Sequence, residues 1–509
     1  MFHYGEDHLT AQAALDILEN RLSTTLTAQV RARIAQSAQA VGQIAEGDTP
    51  VYGINTGFGK LCTTVISKEH TQTLQRNLLL SHSVGVGEPL SKDLSQLMLI
   101  LKIHALAQGF SGVSLPLMDR LLWHLSEGLI PVVPSQGSLG ASGDLAPLAH
   151  LFLPLLGLGY LWQDGAPVPA GMVLQKHDTA PLDLGPKEAI ALINGTQLMT
   201  AHAVMVLHQL NQCLRHADLI GALMLDALMG SVKPFAEELH RLRPYAGSLY
   251  VAQKIRQLLD GSQILAAHQN CGRVQDPYSL RCIPQVHGAS WNAWLHLREI
   301  VDIELNAVTD NPLVFSASHT ISGGNFHGQP IALPLDYACL AAAELGSISE
   351  RRVYFALDGQ VPDTPALLMR QTGLNSGFMI LQYTAAALVS ENKGLCFPAS
   401  ADSIPSSLGQ EDHVSMGAIG ARKALRVCDN LQRILAIELL CAAQAMEFRR
   451  PLRSSAALEA VHAELRTRIP KADQDRLFAD DIALALELIQ SGTLLRHEPE
   501  PTNKAFAAY

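Results

Sequence analysis

Residues 412–449, DHVSMGAIGARKALRVCDNLQRILAIELLCAAQAMEFR, contain no proline, and Ala421, Leu425, Cys428, Leu431, Leu435, Leu439 and Ala442 recur every three or four positions. That period is helical, and at 1.5 Å per residue the stretch predicts a rod of about 57 Å. Its later part, 434–446, carries Glu438 as its only charge. A helix so poor in charge cannot be satisfied by one partner face, so it predicts a bundle core, and one shared between subunits. Segments 196–229, 288–309 and 334–357 behave the same way, each bounded by Gly, Pro or Asx signals.

Composition points in the same direction. A chain of 509 residues exceeds one ordinary core and predicts two or three structural regions sharing an interior. Hydrophobic residues are 48% and aromatics 5%, a surplus of Ala and Leu that suits close-packed helices more than sandwiches or barrels. There are 37 basic against 47 acidic residues and no Lys/Arg cluster interleaved with aromatics, which argues against a nucleic-acid partner. Cysteines at 62, 213, 271, 282, 339, 396, 428 and 441 form no CxxC pair. That is a reduced, cytosolic pattern in which most cysteines serve as buried small hydrophobes. MFHYGEDHLT carries Glu6 and Asp7 where a signal peptide needs basic and then apolar residues, so no cleaved leader is expected. Residues 145–162 lack formal charge but include Pro147, His150, Pro154, Gly157 and Gly159, which argues against a membrane span.

The first 200 residues read differently. Shorter helices, expected over about 10–20 and 27–46, are broken by YGINTGFGK, HSVGVGEPL and PSQGSLGASGD. We therefore divide the chain into a loop-rich N-terminal region, 1–200, and a long-helix bundle with a C-terminal helical region, 201–509; the boundary is a change of texture, with no internal repeat or low-complexity linker. GINTGFGK is not a phosphate loop, because five residues separate Gly53 from Gly59 where four are needed and Leu61 follows Lys60 where Ser or Thr should bind magnesium. No HExxH occurs, and Cys213 with His216 is a lone pair, so no metal site is expected.

Three polar stretches stand out. GSLGASGDLAPLAH, 137–150, sets Ala141, Ser142 and Gly143 in a row; locally, Ser142 or Asp144 would cap a helix with Pro147 in its first turn. QDPYSLRC spaces Gln275, Tyr278 and Arg281 by three, so one helical turn or tight loop could aim an amide, a phenol and a guanidinium at one place; taken alone it is a surface patch. GQEDHVSMG sets Gln410, Glu411, Asp412 and His413 at the start of the longest helix, where capping and the helix dipole also ask for acidic residues.

Taken together, eight stretches in order, YGINTGFG, SHSVGVGEP, GSLGASGDLAPLAH, INGTQ, QDPYSLRC, TDNPLVF, SGGNFHGQP and GQEDHVSMG, resemble the ammonia-lyases that carry a methylidene-imidazolone prosthetic group. The match runs from about Tyr52 to about Met446. Ile283 and His287 depart from it, since family members carry Gln and Met there, and so does the N-terminus. The resemblance implies a mainly α fold: a fumarase/aspartase-like long-helix bundle core with the smaller loop-rich N-terminal region carrying the prosthetic group. That group, 4-methylidene-imidazole-5-one, would form from Ala141-Ser142-Gly143 with no external cofactor. Gly143 is needed because ring closure bends the backbone where a Cβ would clash, and Ser142 supplies the hydroxyl that leaves.

Roles for the other stretches follow from the same resemblance. Tyr52 is similar to the base that takes the β-proton, Arg281 to the residue that clamps the substrate carboxylate bidentately, Asn194 and Gln275 to hydrogen-bond donors, Tyr278 to a second phenol, and Phe326 to an aromatic wall. His82 and Glu411, with Gln410 beside it, match positions facing the substrate ring. A carboxylate at Glu411 accepts an imidazole N–H but gains little from a phenol or a bare ring. Together with Ser81-His82, it points to L-histidine, converted to trans-urocanate and ammonia in histidine breakdown. The alternative is a tyrosine or phenylalanine ammonia-lyase, or an aminomutase, on the same scaffold. The expected form is a cytoplasmic homotetramer without membrane or nucleic-acid partners.

Overall fold

The computed structural model describes residues 1–47, 49–56, 70–268, 273–501 and 503–507. Cys62, Cys271 and the 57–60 part of GINTGFGK lie outside the described residues. The helices that position the site are α1 (Thr71–His82), α2 (Lys92–Ala107), α3 (Leu145–Phe152), α4 (Gln197–Ala227), α5 (Ile283–Leu305), α6 (Gln329–Leu357) and α7 (Gly417–Glu447). Extended structure among the described residues is limited to two-stranded pieces. The chain is mainly helical, as composition and periodicity predict.

The long helices form a bundle in which α7 packs along α6 and α4, and α5 along α6 and α4; α2 lies against α4 and links the bundle to the N-terminal region. One hydrophobic core runs from Phe2 to Phe506 and draws on both sides of residue 200. Leu198, Val204, Leu207, Leu214 and Leu223 of α4 and Leu431, Leu435 and Leu439 of α7 are fully buried within it. Helices of the same chain surround these rows of α4 and α7, whereas Leu333, Tyr337 and Leu340 of α6 stay exposed. Helix α6 has the length and hydropathy of a bilayer-crossing segment, but most of that window is buried inside the fold.

The single charge of 434–446 is met in kind. Arg352 on α6 donates from Nε and Nη2 to the two carboxylate oxygens of Glu438, at 2.5 and 3.0 Å, and Ser349 Oγ adds a third donor at 2.5 Å. His287 joins this group. Its Nδ1 lies 2.8 Å from Asp218 Oδ1 and its Nε2 3.2 Å from Arg352 Nη1. An arginine only donates, so Nε2 accepts and Nδ1–H donates to Asp218. Burial, which pushes the His287 pKa down, favours that neutral form.

Three helix starts differ from the periodicity. Helix α7 starts at Gly417, not 412, because Met416 is left-handed (φ 52°) and its N–H is spent on Leu139 O at 2.9 Å. GQEDHVSM is therefore a loop bound to the 137–143 loop, not the helix's first turn. Helix α6 begins at Gln329 and runs through Pro334, and α5 begins at Ile283, five residues before the expected start. At Pro334 one hydrogen bond is forfeited, but buried Ile331 and Leu335 on either side keep the helix packed.

Removing one partner of a buried ion pair strands the other charge, at a cost of about 3–5 kcal/mol, whereas an apolar pair of similar volume is often neutral. Glu438→Ala should therefore lower the unfolding free energy by about that amount, and Glu438→Met combined with Arg352→Met by clearly less. Denaturant titration of both variants checks this; equal losses would contradict it.

Candidate active site

Gly143 sits at φ +75°, and a Cβ added to it would lie 2.1 Å from Gly195 O and 2.7 Å from Gly195 N. Only glycine tolerates both the left-handed backbone and that approach. The two glycines form an isolated bridge, and Asp144 N–H donates to Gly195 O at 2.7 Å. The INGT turn ahead of α4 is thus pressed directly against residues 141–143.

Ser142 is held from two sides. Its Oγ donates to Glu411 Oε1 at 2.6 Å, and its carbonyl oxygen accepts from Asn194 Nδ2 at 2.6 Å. The second Glu411 oxygen accepts from Ser406 Oγ at 2.7 Å, which fixes the carboxylate. Asn194 Oδ1 is buried and has no hydrogen-bond partner among the described residues. Ala141 is buried against Val414 and Met416. His82, at the end of α1, has Nδ1 within 3.0 Å of Ser81 Oγ and 2.8 Å of Leu78 O. Burial pushes its pKa down while the Glu411 charge pulls it back up.

Neither residue proposed as a local cap serves that purpose. Asp144 occupies the position before α3 but makes no cap there. Its carboxylate instead accepts from Met199 N–H in the first turn of α4 at 3.0 Å and from Ser138 Oγ at 2.9 Å, so it caps a different helix. Pro147 is in the first turn of α3, as expected. Beneath the turn, Lys102 Nζ on α2 donates to Asn194 O at 2.6 Å, and a second buried ammonium, Lys187, pairs with Asp310 at 2.8 Å. Sequence reasoning missed Lys102 and Ser406. A lone lysine in the apolar run LMLILKIHALA was the available signal for the first; a serine in a loop offers none.

The QDPYSLRC group lies elsewhere in the chain. Tyr278–Arg281 is one helical turn, with Arg281 stacked over the Tyr278 ring at 4.4 Å and its Nε donating to Asp276 O at 3.1 Å. Gln275 precedes the turn and is exposed, as is Tyr278. Asp276 accepts the Ser231 N–H at 2.6 Å, just beyond the C-terminal end of α4. Ser142 and Asn194 stand at the N-terminal end. At 1.5 Å per residue the rise from Met199 to Ala227 is about 42 Å, which the few residues from Asp276 to Arg281 do not recover. Phe326, half-buried, belongs to the Ser142 end: it lies two residues before Gly328, where a Cβ would approach Ser415 Oγ to 2.8 Å. Gln410 is exposed and Tyr52 half-buried. Among the described residues no cluster of three or more His, Cys, Asp or Glu side chains is arranged to hold a metal ion.

Residues 9–467 match the family described as aromatic amino acid lyase. The chain belongs to the aromatic amino acid lyase family. It is similar to the histidine ammonia-lyase of Aromatoleum aromaticum, at 51% identity over 92% of this chain and 89% of that protein. Among solved structures, the histidine ammonia-lyase of Trypanosoma cruzi superposes with a TM-score of 0.90 at 39% identity, covering 99% of this chain and 96% of that one. The tyrosine aminomutase of Streptomyces globisporus superposes with a TM-score of 0.91 at 36% identity, covering 97% and 98%. The lyase fold thus accounts for nearly all of the chain.

Burial raises the Asp144 carboxyl from 3.8 to about 7. Its native state therefore holds a proton more tightly than the unfolded chain does, and its contribution to stability is present in acid and lost as pH rises from about 4 to 7. In denaturant titrations across that range, Asp144→Asn should lack this decline. A difference between parent and variant that is constant with pH would contradict it.

Proposed function

We propose that the chain eliminates ammonia from L-histidine to give trans-urocanate, at a site built on Ala141, Ser142 and Gly143. The setting of Ser142 carries this reading: its hydroxyl is held by Glu411, its carbonyl by Asn194, and its neighbour Gly143 is jammed against Gly195. Ala141, Ser142 and Gly143 fit a methylidene-imidazolone. The buried, unpartnered Asn194 Oδ1 and the absence of room for any side chain at residue 143 both suit a compact ring there. Once formed, the group supplies an electrophile for the substrate amine that no ordinary side chain provides.

The chain's own residues do the rest. Tyr52 takes the β-proton, which requires its phenol to ionise well below the usual value of about 10. Arg281 grips the substrate carboxylate with its planar fork. Asn194 and Gln275 donate hydrogen bonds around the reacting centre, Tyr278 sets a second phenol beside it, and Phe326 forms an aromatic wall. His82, Gln410 and Glu411 face the imidazole. Loss of the Ser142 hydroxyl frees Glu411 Oε1 to accept the imidazole N–H, while Ser406 keeps the carboxylate in place.

The distance of about 42 Å along α4 supports a homo-oligomer, by family resemblance a tetramer, in which the Arg281 turn of one chain completes the Ser142 site of another. Leu333, Tyr337 and Leu340, exposed on one face of α6, offer an apolar surface for such contacts. Six described cysteines are free thiols, most of them buried, which supports a cytosolic setting. The similarity to a tyrosine aminomutase keeps a second reading, a β-amino acid product on the same scaffold; product analysis separates the two.

An absorbance assay for urocanate with histidine as sole substrate tests the reading, and Ser142→Ala should fold normally yet be nearly inactive. Substantial turnover by that variant would refute the role of residues 141–143. Arg281→Lys should harm every amino-acid substrate, whereas Glu411→Gln should lower kcat/KM for histidine by roughly ten- to hundred-fold more than any slow activity on tyrosine or phenylalanine. Equal losses would remove Glu411 from substrate choice. Mixing chains inactivated at Tyr52 with chains inactivated at Arg281 should restore part of the activity. No recovery in confirmed mixed oligomers would place both residues on one chain.

A further inference from the structure

We infer that Lys102 is a positioning residue that holds the Asn194–Gly195 turn against residues 141–143 while the chain forms its own prosthetic group; the inference rests on the reading that the group forms there. Lys102 is 1% exposed, in the middle of α2 with Leu101 and Ile103 beside it. Burying an ammonium there is costly, and a methionine of similar length would pack without that penalty. A lysine at this position therefore needs a polar purpose, and its hydrogen bond gives one. Nζ donates to Asn194 O at 2.6 Å.

That carbonyl belongs to the segment that meets residues 142–144 at several atoms. Asn194 Nδ2 holds Ser142 O, Gly195 O accepts Asp144 N–H, and Gly195 backbone atoms abut Gly143. Lys102 braces the segment from behind. On the far side stands the Asp144 carboxylate, fixed to Met199 N–H and Ser138. Lys187 and Asp310, paired with each other beside Ser111, complete the group of charges.

Ring closure joins Gly143 N to the carbonyl carbon of Ala141. The first water takes that carbonyl oxygen with the amide hydrogens of Gly143 and Ser142; the second takes the Ser142 hydroxyl with its α-hydrogen. No oxidant is needed, and no bond forms to Lys102. Its part is to keep the Asn194–Gly195 turn pressed against Gly143.

The test compares intact masses of the full-length parent, Lys102→Met and Lys102→Arg, after circular dichroism and gel filtration show that each is folded. The parent should be lighter than its sequence by two waters. More than half of the folded Lys102→Met chains should lack one or both of the two water losses when compared with their own sequence mass, and Lys102→Arg should restore the full two-water deficit in most chains. A merely structural role would lower yield or Tm but leave folded chains two waters below their own sequence mass. If Lys102→Met does not fold, a mass time course after synthesis decides with Lys102→Gln, whose shorter side chain cannot reach Asn194 O from the same backbone position: closure several-fold slower than the parent supports the inference, and an equal rate overturns it. Folded Lys102→Met two waters below its own sequence mass, beside a parent with the same deficit, overturns the inference alone. A parent at the unmodified mass overturns the underlying reading and the inference with it.

Discussion

The contact between Gly143 and Gly195 is the constraint on which the site depends. Two backbones meet with no space for a side chain, so the loop carrying Ser142 and the turn carrying Asn194 act as one unit. Everything nearby serves to keep them there. Asp144 ties the loop to the first turn of α4, Met416 N–H and Ser415 Oγ tie it to the loop ahead of α7, and Lys102 supports the turn from below. The long helices thus give the site its rigidity, and the loops carrying Ser142 and Asn194 borrow it.

Electrostatics explains why this arrangement needs buried charge. The 137–144 loop and the INGT turn leave main-chain carbonyls and N–H groups inside the protein, where each unpaired group costs free energy. Lys102 satisfies Asn194 O in the turn, Asp144 satisfies Met199 N–H in the first turn of α4, and Lys187, paired with Asp310, satisfies Ser111 O. Burial lowers the Lys102 pKa to about 7 and raises that of Asp144 to about 7. Each charge is kept in a place that disfavours it, in exchange for a fixed position.

Much of the fold was legible because helical periodicity is a local property of sequence. The apolar rows of α4 and α7 read directly as bundle helices. The start of α7 did not, since Met416 leaves the helix to bond Leu139, a residue 277 positions away. Capping failed for a similar reason: Asp144 is a competent cap by type, but the helix it caps begins 53 residues later. The site stretches were recognisable as a set, and Ser142, Asn194 and Glu411 do meet. No sequence pattern states that Arg281 lies at the other end of α4; that follows only when the helix is laid out in space.

The central claim is that residues 141–143, held against the Asn194–Gly195 turn, convert their own backbone into the prosthetic group. The most direct measurement is the fragment mass of the peptide containing residues 141–143, released by proteolysis from the purified parent protein. The account predicts a deficit of two waters confined to Ala141-Ser142-Gly143. A peptide at its full sequence mass would contradict it.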